Sequence, residues 1–186
     1  MNRLIEKYLP ESPKIGLYIA PRIPEGKLRN AIGDFGKGVD ASKVRALYDA
    51  TLMGSAKDGI LFLDDRAVYQ NNNLEPAQTL FYDDVINVDL KKRFLGGKEV
   101  RLDVNRANAT VTHTLDFSGQ PDAAEYVARL FHELVVHGAN RSRAERTGGG
   151  TDWPEVQRRL RAMLEEGILS ESDYRALWQA ARQEGS

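Results

Sequence analysis

The sequence predicts an α+β fold in which short antiparallel strands come first and helices follow. Between residues 43 and 117, apolar residues come in short runs separated by turn residues, which is typical of a small antiparallel sheet. After Pro121 the apolar spacing changes from two residues to 3.6, which indicates an amphipathic helix. The 186 residues suffice for one ordinary domain with a small appendage.

The first 39 residues are expected to form an extension that packs on the strand region. Residues 1–9 and 25–35 favour short helices. Within residues 14–20, Ile15, Leu17 and Ile19 recur at every second position, as on the buried face of a strand.

The main domain is expected to span residues 40–140 and to contain seven strands and one helix. Turn chemistry marks its connections: Asp64–Asp65, Asn71–Asn73 and Gly96–Gly97 each separate two apolar runs. The expected strands lie within residues 44–52, 60–63, 67–70, 79–88, 93–95, 99–104 and 109–117.

A single helix with a continuous apolar stripe follows the last strand. The stripe runs from Ala123 to Val135, and Gly138 marks the expected end of the helix. Leu130 and Leu134 are expected to pack against the strands, because both the helix and the sheet have an apolar face to bury.

A charged stretch that ends in glycines, residues 141–151, predicts a flexible linker. The linker leads to a hairpin of two helices at residues 152–183. Asp152 and Ser170 are suited to cap these helices, and Gly167 marks the end of the first of them.

The order of short strands followed by one amphipathic helix resembles the bacterial pleckstrin-homology-like (PH-like) domains. The resemblance covers about residues 40–138 and is carried by the segments 59–69, 81–88 and 115–117. It implies an antiparallel β-barrel with one C-terminal helix that caps an open end.

Residues 153–182 resemble the short C-terminal (SHOCT) module of bacterial proteins. The matching segment is residues 160–174, with the core Gly-Ile-Leu-Ser-Glu at residues 167–171. The chain departs from that family in carrying Trp178 and few lysines in the second helix. The resemblance implies that these helices mediate oligomerisation or partner binding.

The C-terminal hairpin also holds the candidate partner-binding residues. Two helices of this length bury little apolar surface alone, and a piece of chain below about 40 residues usually needs a partner. Large aromatic side chains are favoured anchors of interfaces, although packing on each other or on the barrel explains the tryptophans equally well. The candidates are Trp153, Val156, Leu160, Leu164, Leu177 and Trp178.

Basic residues near the Gly96–Gly97 turn are candidates for binding an anion or a lipid headgroup. Lys91 and Arg93 point to the same side of a strand, because residues two apart do so. A solvated sheet edge whose charges block strand pairing explains the pattern better than a binding site does. The candidates are Lys57, Lys91, Lys92 and Arg93.

No catalytic, metal or nucleotide motif is complete in this sequence. His132 and His137 lie five positions apart, whereas a zinc-binding helix needs a spacing of four. Five positions place them about 140° apart on a helix. His113 is the only other histidine, and residues 54–59 lack the Lys-Ser/Thr end of a phosphate loop. The sequence predicts no enzyme, no metal and no cofactor.

The amino-acid composition excludes or disfavours several further classes of protein. The 26 basic and 27 acidic residues nearly balance, which argues against a surface built for nucleic acid. With no cysteine, disulfides and thiol chemistry are excluded. Neither a signal peptide nor an apolar run long enough to span a membrane is present, so a cytoplasmic location is expected, with peripheral attachment to the inner membrane as a variant.

The leading hypothesis is therefore a non-enzymatic scaffolding protein that binds a protein partner or its own copies through the C-terminal helices. The alternative is a peripheral membrane adaptor that binds anionic lipid through the basic hairpin. A metal-dependent hydrolase that uses His132 and His137 is disfavoured by the spacing.

Overall fold

The chain combines two antiparallel sheets with helices, which confirms the predicted α+β class. The computed structural model describes residues 2–94, 96–106, 109–146, 153–165 and 169–184. Its α-helices are α1 (Asn2–Tyr8), α2 (Glu25–Asp34), α3 (Ala123–Arg146), α4 (Trp153–Glu165) and α5 (Glu171–Glu184). Its strands are β1 (Leu17–Ile19), β2 (Ala46–Asp49), β3 (Gly59–Phe62), β4 (Arg66–Gln70), β5 (Gln78–Phe81), β6 (Val85–Lys92), β7 (Lys98–Arg106) and β8 (Ala109–Asp116). The chain divides into two compact units, residues 1–140 and 141–186.

The first sheet contains β1 to β5 in the order in which they occur along the chain. β1 comes from the N-terminal extension and pairs with β2, with Leu17 opposite Tyr48. The expected strand at residues 14–20 is shorter than predicted, because Pro13–Ile15 forms a 3₁₀ turn that Gly16 ends in a left-handed conformation. The extension therefore contributes a strand to the sheet.

The second sheet contains β6, β7 and β8, again in chain order. The single strand expected at residues 79–88 is wrong, because the 3₁₀ turn Tyr82–Asp84 divides it into β5 and β6, which belong to different sheets. Tyr82 is buried in this turn, and its hydroxyl donates to the Leu63 carbonyl oxygen over 3.2 Å. Burial of Tyr82 thus fixes the point at which the chain leaves one sheet for the other.

The described strands form two separate sheets, and no closed barrel is found among them. β1 and β5 are the edges of the first sheet, and β6 and β8 are the edges of the second. No ladder joins β5 to β6, although they follow each other in the chain. The α+β class is therefore confirmed, and the strands of the main unit form two open sheets.

Side chains between the two sheets and α3 form the larger core. The apolar stripe of α3 is buried there, and Leu130 and Leu134 lie in it as predicted. The Phe131 ring lies 6.5 Å from that of Phe62 and 5.9 Å from that of Tyr82, measured between ring centres. Helix α3 thereby joins residues of the first sheet to the turn that begins the second.

A second, smaller core covers the opposite face of the first sheet. Leu47, Leu61 and Val68 point away from the larger core and pack with Ala31 and Phe35 of the α2 region. Successive residues of a strand face opposite sides of its sheet, so the central strands are buried on both faces. Continuous apolar runs, rather than alternating ones, follow from this arrangement.

Helix α3 is longer than the sequence suggests. Its expected end near Gly138 is wrong, since the helix continues to Arg146 and takes in the first part of the expected linker. A glycine inside a helix costs only about 1 kcal/mol, and the following residues include alanine and arginine, which favour helix. The rest of the predicted linker, residues 147–151, lies outside the described residues.

The C-terminal unit contains the predicted pair of helices, α4 and α5. Ala162 is buried, and the Leu169 backbone N–H donates to the Met163 carbonyl oxygen over 3.1 Å. Ser170 caps α5 as expected: its hydroxyl accepts from the Asp173 N–H, and the Asp173 carboxylate accepts from the Ser170 N–H. Asp152, the other expected cap, lies outside the described residues.

Shortening a buried side chain of α3 should destabilise the main unit. We expect Leu130→Ala to lower the free energy of unfolding by about 2–5 kcal/mol, because it leaves a cavity among well-packed side chains. Val136→Ala is the matched control, since Val136 lies on the exposed side of the same helix. Urea denaturation followed by circular dichroism measures both changes. Equal stability of Leu130→Ala and the parent would show that α3 does not seal the core.

Candidate functional site

Three loops of the main unit lie at one end of the two sheets. The Asn71 side chain donates to the Thr114 carbonyl oxygen over 2.8 Å and accepts from the Asp116 N–H over 3.0 Å. Arg93 donates to the Asp116 carboxylate over 2.7 Å, so the hairpin turn after β6 lies beside the end of β8. The Tyr48 ring, at the end of β2, is 4.7 Å from that of Phe117.

We call this region the loop end. It comprises residues 50–58 after β2, residues 71–77 after β4 and residues 93, 94, 96 and 97 after β6. Each loop is held by its own set of hydrogen bonds.

The first loop is organised around the carboxylate of Asp49, whose residue is only 3% exposed. One of its oxygens accepts from the Thr51 N–H (2.9 Å) and hydroxyl (2.5 Å) and from the Ala56 N–H (3.1 Å). The other accepts from Lys27 of α2 at 2.6 Å, and the same ammonium group donates to the Gly54 carbonyl oxygen. Burial opposes the charged form of Lys27, but the hydrogen bond and charge of Asp49 outweigh it and raise the pKa of Lys27.

A glycine is required where this loop returns to the sheet. Gly59 has a φ of 146°, and a Cβ there would lie 1.9 Å from the Tyr48 carbonyl oxygen. A side chain at this position is therefore excluded both by backbone conformation and by space. At the outer part of the loop, Leu52 and Met53 are 92% and 90% exposed.

The second loop is closed by Asn72. Its side-chain oxygen accepts from the Leu74 N–H over 3.0 Å, and its side-chain nitrogen donates to Glu75 over 2.8 Å. Its carbonyl oxygen accepts from the Glu75 N–H over 3.1 Å. These bonds fix the turn that carries Leu74, which is 90% exposed.

The third loop is the hairpin turn between β6 and β7. The Arg93 N–H donates to the Gly97 carbonyl oxygen over 2.8 Å, and the Gly96 N–H donates to that of Arg93 over 3.2 Å. The Arg93 guanidinium also forms an ion pair with Glu99 at 3.3 Å. The turn presents Phe94, which is fully exposed.

A polar cleft of about 310 Å³ opens between the second and third loops and β8. His113, only 7% exposed, lies in its wall with Nδ1 at 2.9 Å from the Tyr69 hydroxyl, which donates to Gln78 over 3.1 Å. Burial and the nearby Arg106 lower the pKa of His113, and burial raises the pKa of Tyr69 to about 12. Both groups are therefore uncharged at neutral pH and supply hydrogen bonds rather than charge.

The predicted basic residues lie at or near the loop end, but their side chains have different partners. Lys57 and Lys92 are exposed and form no ion pair with a described residue. Lys91 is 3.2 Å from Asp89. Arg93, in contrast, is engaged by Glu99 and Asp116 and serves to hold the hairpin. Of the four candidates, Lys57 and Lys92 are therefore the cations that no described carboxylate holds in an ion pair.

The predicted partner-binding residues lie on α4 and α5. Leu160, Leu164 and Trp178 are half-buried, and Leu177 is 45% exposed. Trp153 and Val156 belong to α4, but their side chains lie outside the described residues.

The histidines are not brought together. His132 and His137 lie exposed on α3, whereas His113 lies in the cleft wall of β8. Within the described ranges, no group of three or more histidine, aspartate or glutamate side chains is arranged to hold a metal ion. None of the helices in those ranges combines the length and the apolar character needed to cross a bilayer.

The apolar residues of the loop end were not predicted as functional. The sequence carries a signal for them, because Leu52–Met53, Leu74 and Phe94 are large apolar residues inside segments rich in glycine, asparagine and serine. Such residues have no strand or helix face to join, so exposure is the natural outcome.

Comparison with known protein families, with characterised proteins and with solved structures yields no match to this chain. Its function is therefore inferred from its own geometry and chemistry, and the PH-like and SHOCT resemblances stay predictions.

Removing the Lys27 ammonium should loosen the first loop. We expect Lys27→Met to lower the free energy of unfolding by about 1–3 kcal/mol, because the buried Asp49 carboxylate then loses a charged donor. Lys37→Met, at an exposed position of the adjacent segment, is the control and should change stability little. Urea denaturation gives the comparison. A small, equal effect of the two substitutions would contradict a clamping role for Lys27.

The buried His113 should make stability depend on pH. Its pKa is lower in the folded chain than the ordinary 6.5, so the unfolded chain takes up its proton more readily. The stabilisation is therefore complete above about pH 6.5 and is lost as the pH falls below it. We expect His113→Asn, which keeps a polar group near Nδ1, to reduce the loss of stability between neutral pH and pH 5. An identical loss in the parent and the variant would refute this assignment.

Proposed function

We propose that this chain is a non-enzymatic interaction protein whose copies associate through α4 and α5. The observation that carries the proposal is the exposure of Leu177 on a two-helix unit. Leu177 is 45% exposed, whereas Leu160 of α4 and Trp178 of α5 are half-buried. The pair thus leaves apolar surface uncovered within its own unit.

The size of the C-terminal unit supports this proposal. The unit, residues 141–186, is divided from the main unit. Its two helices, α4 and α5, lie within residues 153–184, and fewer than about 40 residues rarely bury enough apolar surface to be stable alone. A symmetric contact between identical chains is the commonest way of covering such a surface. The resemblance of residues 153–182 to SHOCT modules agrees with this role.

The main unit supports the proposed PH-like fold at the level of element order. Strands β2 to β8 form antiparallel sheets, and α3 follows them with its apolar stripe buried against both. That is the order on which the resemblance depends. A PH-like scaffold offers loops for binding and implies no catalysis by itself, in keeping with an interaction protein in the cytoplasm.

Placing a charge on the exposed side of α5 should dissociate the assembly. We expect full-length protein at tens of micromolar to be oligomeric, and Leu177→Asp to weaken association at least tenfold, since burying a leucine contributes about 1.5–3 kcal/mol. Gln179→Asp adds the same charge at another exposed position of α5 and is the matched control. Light scattering measures the mass of each protein. A monomeric parent, with its helical content intact, would refute self-association.

A further inference from the structure

Four apolar side chains at the loop end are exposed to an unusual degree. The exposed fraction is at least 90% for Leu52, Met53, Leu74 and Phe94. For the other exposed large apolar side chains among the described residues it is 37% to 50%. Every one of the four lies on a loop at the same end of the sheets. Concentrated apolar exposure of this kind marks a contact surface.

Hydrogen bonds close each of the loops that carry these side chains. Asp49, Asn72 and Arg93 each close the loop that carries one or two of these side chains, through the hydrogen bonds described above. A fixed loop loses little conformational entropy when its outermost side chain is buried by a partner. The three loops are therefore pre-organised for contact.

The shape of the surface favours a lipid bilayer as the partner. The apolar side chains stand on separate loops, and the cleft between two of the loops is lined by polar groups such as Asn71, Gln78 and His113. A protein partner would have to match this alternation of apolar projections and a polar recess. A bilayer adapts to it, because its interface accepts apolar side chains and solvates the polar groups between them.

The charges near the four apolar side chains favour an anionic bilayer. Lys91 and Lys92 directly precede the turn that carries Phe94, and Lys57 lies in the loop that carries Leu52 and Met53. All three are exposed, and Lys91 also pairs with Asp89 at 3.2 Å. Cations beside inserted apolar side chains are attracted by anionic headgroups, at about 1 kcal/mol for each residue near the surface.

We infer that the loop end docks on anionic membranes, with Leu52, Met53, Leu74 and Phe94 inserted into the interface and with the lysines against the headgroups. The carboxylates of Glu75 and Asp116 line the cleft, which disfavours a multiply phosphorylated headgroup there. Binding therefore follows the surface charge of the bilayer and not one headgroup. This inference is independent of self-association through α4 and α5.

Vesicle cosedimentation of the full chain tests the docking. We expect binding to vesicles that mix phosphatidylcholine with phosphatidylglycerol or, at equal charge, with phosphatidylserine, and little binding to phosphatidylcholine alone. Phe94→Ser and Leu74→Ser should each weaken binding several-fold to tenfold. Val111→Ser is the control, because Val111 is also an exposed apolar residue but lies about 17 Å along β8 from the loop end.

The lysines should contribute separately from the apolar side chains. Lys91→Gln and Lys92→Gln are each expected to weaken binding about fivefold, and raised salt should weaken the parent more than the double variant. Binding that ignores salt and these substitutions would contradict the electrostatic part of the inference.

Insertion itself can be observed at single positions because the chain has no cysteine. Met53→Cys, Phe94→Cys and Val111→Cys each accept one environment-sensitive fluorophore. Anionic vesicles should shift the emission to the blue at positions 53 and 94 and leave it unchanged at position 111. A shift at position 111 alone, or no vesicle binding by the parent, would overturn the inference.

Different results would refute self-association through α4 and α5 and membrane docking through the loop end. Leu177→Asp protein keeps an intact loop end and should still bind anionic vesicles, with some loss of avidity if the parent is oligomeric. If Phe94→Ser and Leu74→Ser instead lower the mass measured by light scattering, and the parent does not bind vesicles, the loop end contacts a second copy and membrane docking is wrong.

Discussion

The structure of the main unit depends on burying both faces of its first sheet. Leu47 and Leu61 point to one side and Tyr48 and Phe62 to the other, so neither layer of helix can be removed without exposing a row of large side chains. Helix α2 covers one face, and α3 covers the other together with the second sheet. The same helix α2 carries Lys27, which reaches the carboxylate of Asp49. Packing of the sheet therefore also sets the position of the first loop of the loop end.

The sequence allowed the element types to be predicted better than their relations in space. The apolar stripe of α3 identified Leu130 and Leu134 correctly, because a 3.6-residue spacing has only one structural explanation. The division at Tyr82 was missed, since an aromatic residue inside an apolar run fits a strand equally well. The continuation past Gly138 was not predicted, because glycine commonly ends a helix, whereas the residues that follow favour helix strongly enough to extend α3 to Arg146.

Features of the candidate site that depend on single residues were predictable from the sequence, whereas those that depend on contacts between distant residues were not. The exposure of Lys91 and Lys92 was predictable from their charge alone. The ion pairs of Arg93 with Glu99 and Asp116 were not, because they join strands that come together only in the folded chain. Phe94 and Leu74 lie 20 positions apart in the sequence, and only the contacts of Asn71 and Asp116 reveal that their loops share one end. His113 was considered only as a metal ligand, whereas its partner is a tyrosine from the other sheet.

The order of the strands bears on how the chain reaches its fold. Every hydrogen-bonded pair of strands in both sheets joins consecutive strands. Apart from the β1–β2 pairing, whose connection contains α2, each pairing closes a comparatively short loop, and the entropy lost on closure grows only slowly with loop length. Chains dominated by such near-neighbour contacts fold faster than those whose strands must find distant partners. Within each sheet a new strand therefore finds its partner in the strand just before it, and few unpaired edges wait for a later segment.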